Sequence, residues 1–210
     1  MILSDIIKII KISALCIIAA ALNFTLTFLS VPVLKIPLFL DTIFTAAVTF
    51  SAGLIPGLIT AVLTWAAGPF IDNGQLSPFV ICSIAEVFII NRLKPSSGIV
   101  LNEYKNEKTL AKNISILARL MLLYIAASMV ISILGGLVDF IFYSVLPNSK
   151  GHISAEDIYK AGLQQSRFPV LVMNILSRIP VNLVDRFIVI FGGYFISLGA
   201  GKLLAGNSKN

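Results

Sequence analysis

The sequence predicts an all-α integral membrane protein, a bundle of six transmembrane helices with the N- and C-termini in the cytoplasm. The first observation behind this prediction is composition: 57% of the 210 residues are hydrophobic and only 12% are charged, whereas an average soluble domain carries roughly 25% charge. The second is size, since a small chain of 22.7 kDa with a mean hydropathy of +0.95 cannot bury that much apolar surface in a water-soluble core.

This composition argues against a soluble enzyme, a disordered chain and a nucleic-acid binder. The net charge of +6 does not indicate a nucleic-acid partner, because the basic residues lie mainly at the ends of apolar runs, where they set orientation in a membrane. The sequence has no P-loop, HExxH or GxSxG motif, and its single histidine, His152, has no ligand-spaced neighbour. We therefore predict no catalytic residue, no metal site and no cofactor.

Six apolar segments are predicted to cross a bilayer, whose core of about 30 Å needs about 20 helical residues. Because the second and third are joined only at Gly53, they are expected to form a tight hairpin, and the fourth is the shortest. A further helix is expected on the outer surface at about 155–177, before Pro180 breaks it. The predicted spans, within a single domain over 1–210, are 12–31, 36–52, 54–71, 78–91, 114–146 and 181–204.

The basic residues are divided unequally between the two sides of the predicted bundle. Of the 16, four fall on the side of the loop 147–167, and two, Arg178 and Arg186, lie in or beside the last span. The remaining ten share a side with both termini, which the positive-inside rule places in the cytoplasm. These ten are Lys8, Lys11, Arg92, Lys94, Lys105, Lys108, Lys112, Arg119, Lys202 and Lys209.

Ionisable side chains inside apolar spans cost several kcal/mol unless they are paired or hydrated, so each is a candidate functional residue. With a helical rise of about 1.5 Å per residue, most candidates fall in the outer half, which favours an outward-facing pocket for a polar solute over an ion path. Glu86 is expected near mid-membrane, packing below that pocket. The alternative is that the acids and arginines pair with one another. The predicted binding residues are Asp41, Asp139, Asn182 and Arg186, with Asp72, Asn73, Arg178 and Asp185 as further candidates.

Small residues recur at every fourth position in several predicted spans, a spacing that lets helices approach closely in lipid. We expect them to pack within the bundle, and contact with a partner subunit is the alternative. The patterns are Ser128–Ser132–Gly136, Gly193–Ser197–Gly201, Ala47–Ser51 and Gly53–Gly57.

Two segments resemble the substrate-binding (S) components of energy-coupling factor (ECF) vitamin transporters. The run FLDTIFTAAVTFSAGLIPGL at 39–58 is similar to the hairpin of the second and third spans in riboflavin-type S components, with an Asp-Thr start and a Gly-x-x-x-Gly turn. The run IPVNLVDRF at 179–187 is similar to that family's entry into its last helix. The length of about 200 residues, the six predicted spans and the lack of a motor motif also resemble this family.

The resemblance implies a high-affinity binding subunit for a vitamin, flavin-like for example, held near the outer face and capped by the loop after the first span. It also implies docking to a membrane coupling (T) protein and two cytoplasmic ATPases, in the cytoplasmic membrane of a prokaryote. The family often docks through Ala-x-x-x-Ala in its first helix; this sequence has none, and Cys16 and Ala20 are the nearest small pair. The alternative is a stand-alone membrane sensor or scaffold module, related to the membrane domains of signalling proteins.

Overall fold

The computed structural model describes residues 2–30, 40–70, 77–95, 107–145, 160–163 and 167–205. Every regular element in these ranges is helical, which confirms the all-α prediction for them. A 3₁₀ turn at Leu40–Thr42 precedes the second helix, another at Gly68–Phe70 follows the third, and a π-helical stretch, Phe140–Val145, continues the fifth. The main helices are α1 (Ile2–Phe28), α2 (Ile43–Ala52), α3 (Leu54–Ala67), α4 (Val80–Leu93), α5 (Glu107–Asp139) and α6 (Val170–Ala205).

Three of the described helices are long and apolar enough to cross a membrane, judged by length and composition. These stretches are Asp5–Phe28 in α1, Thr109–Phe142 through α5, and Val170–Gly201 in α6. In each of these helices, less than half of the apolar part is buried within the protein. Large apolar side chains lie on their exposed faces. Such surfaces are unfavourable in water and suit a lipid environment. The shorter helices Leu40–Ala52 and Leu54–Phe70 are also apolar.

Helix α6 makes the most extensive contacts in the described bundle, because α5 and α2 both pack along it. Helix α1 packs against the hairpin of α2 and α3, and α4 packs against α2, α3 and α5. The main hydrophobic core lies between α2, α4, α5 and α6, with Ile90, Leu123 and Ile190 fully buried at its centre. The two cysteines are buried: Cys82 belongs to this core, and Cys16 to a smaller cluster between α1 and α2.

The prediction that Pro180 breaks a helix is wrong, because α6 continues through it from Val170 to Ala205. Proline offers no N–H to the carbonyl four residues earlier, but this loss is tolerated when neighbouring elements hold the helix on both sides. Arg178 before the proline is paired with Asp139, and Asn182 after it is bonded to Ser132. Residues 170–177 of the expected outer helix thus belong to α6; residues 155–159 and 164–166 lie outside the described residues.

Glycines allow the closest helix approaches. A Cβ at Gly193 of α6 would lie 2.8 Å from the Cβ of Ala46 and 3.0 Å from the carbonyl oxygen of Ile43, both in α2. A Cβ at Gly136 of α5 would lie 2.8 Å from the backbone nitrogen of Ile175. The small residues at these positions therefore pack within the bundle, as expected. Gly53 has a different role: its φ of +97° makes the turn between α2 and α3, a conformation that favours glycine.

Candidate functional site

A buried polar group surrounds Arg186 of α6. Its Nη1 donates hydrogen bonds to Oε2 of Glu86, at 2.6 Å, and to the hydroxyl oxygen of Thr42, at 2.9 Å. Its Nε donates to Oδ2 of Asp185 at 3.0 Å, and Nη2 contacts the same oxygen. None of these four residues is more than 4% exposed. One guanidinium group thus links α6 to α4 and to the start of α2.

A third acid, Asp41, lies beside this group. It precedes Thr42 in the 3₁₀ turn, is partly exposed, and interacts electrostatically with Arg186, Asp185 and Glu86. We name Asp41, Thr42, Glu86, Asp185 and Arg186 the Arg186 cluster. It contains three carboxyl groups and one guanidinium group.

A second polar group joins α5 to α6 through Asp139 and Arg178. Nε and Nη2 of Arg178 each donate to one carboxylate oxygen of Asp139, both at 3.0 Å, and Nζ of Lys160 lies 3.2 Å from Oδ2. Arg178 also lies over the ring of Phe79 at 4.6 Å. Gly135 makes room for it, because a Cβ there would lie 2.8 Å from Nη1 of Arg178. The side chains of Asp139 and Arg178 are each only 8% exposed.

Asn182 lies between these two groups on α6. Its Nδ2 donates to the hydroxyl of Ser132 at 2.9 Å, and its backbone carbonyl accepts a longer bond of 3.4 Å from Ser128. Arg178, Asn182 and Arg186 are spaced four residues apart, so they share one face of the helix. That face carries the polar contacts of α6 with α5, α4 and α2.

Six of the eight predicted binding residues lie in the described ranges, and they do not form one group. The Arg186 cluster brings together Asp41, Asp185 and Arg186, whereas Asp139 and Arg178 form a separate ion pair and Asn182 bonds to α5. Pairing between acids and arginines, the alternative weighed from the sequence, therefore occurs in both groups. The other two predicted residues, Asp72 and Asn73, lie outside the described residues.

The expectation that Glu86 packs below the site is wrong, because its carboxylate contacts Arg186. The error came from the start of the last helix. Since α6 begins at Val170 rather than 181, Arg186 lies sixteen residues into it, about 24 Å along its axis. Arg186 is therefore deep enough to meet an acid in the middle of α4. A buried arginine needs acidic partners, and Glu86 in the middle of α4 is one of them.

Sequence reasoning also missed Asn23, which is fully buried in α1. Its Nδ2 donates to the hydroxyls of Thr45, at 2.9 Å, and Thr64, at 3.1 Å, and its Oδ1 accepts the backbone N–H of Phe44 at 3.0 Å. Phe44 is in the first turn of α2, whose N–H groups have no partner within the helix. Asn23 therefore caps α2 from another helix. The sequence signal that could have identified it is a lone amide side chain in an apolar run.

At the other end of the hairpin, Nζ of Lys94 donates to the carbonyl oxygen of Thr49 at 3.2 Å. This oxygen lies in the last turn of α2, where a cation also interacts favourably with the helix dipole. Partial burial lowers the pKa of Lys94 below its ordinary value. The contact ties the end of α4 to the end of α2, next to the hairpin turn.

The Arg186 cluster is the candidate site, because it offers both carboxylate acceptors and a guanidinium donor where three helices meet. No group of three or more His, Cys, Asp or Glu residues that could hold a metal ion is found in the part of the chain that the structure describes. Comparison of the chain with protein-family models, curated proteins and solved structures found no match.

Proposed function

We propose that this chain is a membrane binding subunit that captures a vitamin-class solute with high affinity and delivers it to an ATP-driven ECF module. The observation that carries the proposal is the contact between Thr42 and Arg186 at 2.9 Å. These residues belong to the two segments, 39–58 and 179–187, that resemble S components. The segments thus meet at a polar group within apolar helices, and a few convergent polar groups in apolar surroundings are one feature of small-molecule sites.

The proposed membrane arrangement has six spans with both termini in the cytoplasm. Three helices of sufficient length and apolarity support it, as does the ten-to-four distribution of basic residues in the sequence. In this arrangement, α2, α3 and α4 complete the bundle as shorter spans. The membrane is the cytoplasmic membrane of a prokaryote, as the resemblance implies.

The proposed partners supply the energy for accumulation of the solute. The sequence contains no P-loop motif with which to hydrolyse ATP, so accumulation of the solute depends on other proteins. In the proposal these are a membrane coupling (T) protein and two cytoplasmic ATPases. The protein alone binds its solute without concentrating it.

The proposal is tested by equilibrium binding of flavins and other vitamins to the purified protein. We expect one of them to bind with a Kd below about 1 μM. Thr42→Val should weaken that binding roughly tenfold, because it removes a hydrogen-bond partner of Arg186. Thr60→Val is the matched control, since Thr60 is buried in α3 and bonds within its own helix, to Pro56. A protein that binds no vitamin would instead fit the sensor or scaffold alternative.

A second experiment measures uptake into liposomes that contain only this protein, with and without ion gradients. The expected result is binding without accumulation. Accumulation above the external concentration would contradict the proposal and would indicate a secondary transporter.

A further inference from the structure

The Arg186 cluster contains more acidic groups than its arginine can neutralise. Glu86 and Asp185 present two carboxylates to one guanidinium group, and Asp41 adds a third carboxyl group beside them, so at least one negative charge is in excess when Glu86 and Asp185 are ionised. An uncompensated charge in an apolar interior is costly, and an ion pair repays its desolvation only when its remaining hydrogen-bonding positions are also satisfied. The cluster is therefore electrostatically suited to receiving positive charge.

Oε1 of Glu86 is the atom at which we expect that positive charge to bind. Glu86 is 1% exposed, its Oε2 accepts from Arg186, and its Oε1 is buried with no hydrogen-bond partner among the described residues. Buried polar atoms are nearly always bonded, so an exception calls for a specific explanation. A carboxylate oxygen accepts hydrogen bonds only, so what is missing at Oε1 is a donor.

A proton on Glu86 does not complete the site. It would reduce the negative charge, but it turns Oε1 into a hydroxyl donor, so the missing partner changes from a donor to an acceptor. A ligand that carries both positive charge and an N–H group satisfies the charge excess and the open acceptor together. A charge-assisted hydrogen bond of this kind is stronger than a neutral one.

We propose that the Arg186 cluster binds a positively charged N–H group of the solute at Glu86, so that the solute is an organic cation. This inference rests on the proposed binding function and narrows its substrate class. Asp41 is the partly exposed member of the cluster, whereas Glu86 and Asp185 are buried. Asp41 is therefore the acidic group of the cluster that lies nearest the protein surface.

The experiment measures binding and thermal stabilisation of the purified full chain with vitamins of different charge. Pyridoxamine and pyridoxine form the matched pair, because they share a ring and differ in an ammonium group against a hydroxyl. Thiamine adds a permanent cation whose charged nitrogen carries no hydrogen, riboflavin a neutral ring system and biotin an anion. A ligand that binds only the folded state raises its Tm. We expect pyridoxamine, the probe with an ammonium group, to bind most tightly and to raise the Tm most.

Glu86→Gln should reduce affinity for that cation by about 10- to 150-fold, while Glu86→Asp, which keeps the charge, should reduce it less. The ligand-free Tm of Glu86→Gln should equal or exceed that of the wild type, because the variant removes an excess buried charge. Ser197→Ala is the control: Ser197 is a buried α6 residue bonded to Tyr194, eleven residues beyond Arg186, and its loss should leave affinity unchanged.

Three results would overturn the inference. The first is tightest binding of thiamine, riboflavin, pyridoxine or biotin, or no stabilisation by pyridoxamine. The second is a lower ligand-free Tm of Glu86→Gln with its cation affinity kept, which would make Glu86 a purely structural partner of Arg186. The third is a Glu86-dependent stabilisation by Na⁺ or K⁺ alone, which would place a metal ion rather than an organic cation at Oε1.

Failure of this inference is distinguishable from failure of the proposed function. Sub-micromolar binding of a neutral or anionic vitamin would overturn the cation inference and leave the binding-subunit function standing. Accumulation of a cationic vitamin by liposomes that contain this protein alone would overturn the binding-subunit function and leave the cation inference standing.

Discussion

Nη1 of Arg186 lies 2.9 Å from the hydroxyl oxygen of Thr42 and 2.6 Å from Oε2 of Glu86, so one nitrogen atom connects α6 with α2 and α4. Thr42 and Arg186 are 144 positions apart in the chain. Because the three helices contribute to the same contact, the geometry of the site depends on how the whole bundle packs. Variants that loosen helix packing should therefore impair binding as well as stability.

The first prediction concerns orientation in the membrane. We expect the loop around Ser97 to be cytoplasmic and the loop around Ser149 to be external, because of the unequal distribution of basic residues. Both positions lie outside the described residues. Labelling of single cysteines at Ser97 and Ser149 in intact cells measures this. A label at Ser97 but not at Ser149 would invert the orientation; permeabilised cells provide the control.

The second prediction concerns the junction of α1, α2 and α3. Asn23→Ala should lower the free energy of unfolding by about 1–3 kcal/mol, because it leaves the N–H of Phe44 without an acceptor in a partly buried position. Thr25→Ala is the control in the same helix, since Thr25 is exposed and its hydroxyl bonds only to the carbonyl of Ala21. Its effect should stay within about 0.5 kcal/mol. Equal effects of the two variants in denaturant unfolding would show that the Asn23 side chain does not stabilise the contact of α1 with α2 and α3.

Composition and apolar runs were sufficient to predict the helical class and the hairpin at Gly53. These features depend on local sequence: a long apolar run forms a helix, and a glycine permits the turn. Six spans and their orientation stay predictions. The break at Pro180 was wrong because propensity describes an isolated helix, whereas Asp139 and Ser132 of α5 hold α6 on both sides of the proline.

The grouping of the polar residues was harder to predict, because it depends on the depth of each residue in its helix. Starting the last span at 181 placed Arg186 near the surface and separated it from Glu86. Because the helix begins at Val170, Arg186 and Glu86 lie at the same level of the bundle. Asn23 was missed for another reason: its partners, Thr45 and Thr64, are far away in sequence, and no local pattern identifies them.

The third prediction concerns the contact between α2 and α6. Gly193→Ala should lower the free energy of unfolding by about 1–3 kcal/mol, because the new Cβ would overlap Ala46 and force the two helices apart. Gly199→Ala is the matched control in α6, since nothing lies within 4 Å of a Cβ there. It should be neutral or stabilise by about 0.5–1 kcal/mol, as alanine favours helix. Equal thermal denaturation curves for both variants would contradict this packing.

The last prediction concerns Asp139, which the sequence assigned to solute binding and the structure pairs with Arg178. Asp139→Asn should lower the free energy of unfolding by roughly 3–5 kcal/mol, because it leaves the buried charge of Arg178 without its partner. Arg178→Gln alone should be similarly harmful, whereas the double variant should lose less than the sum of the two. Denaturant unfolding of all four proteins gives the coupling energy, expected at about 0.5–3 kcal/mol for contacting residues. If the two effects are additive, the ion pair contributes nothing to stability, and any loss of solute affinity in Asp139→Asn would then support the original assignment.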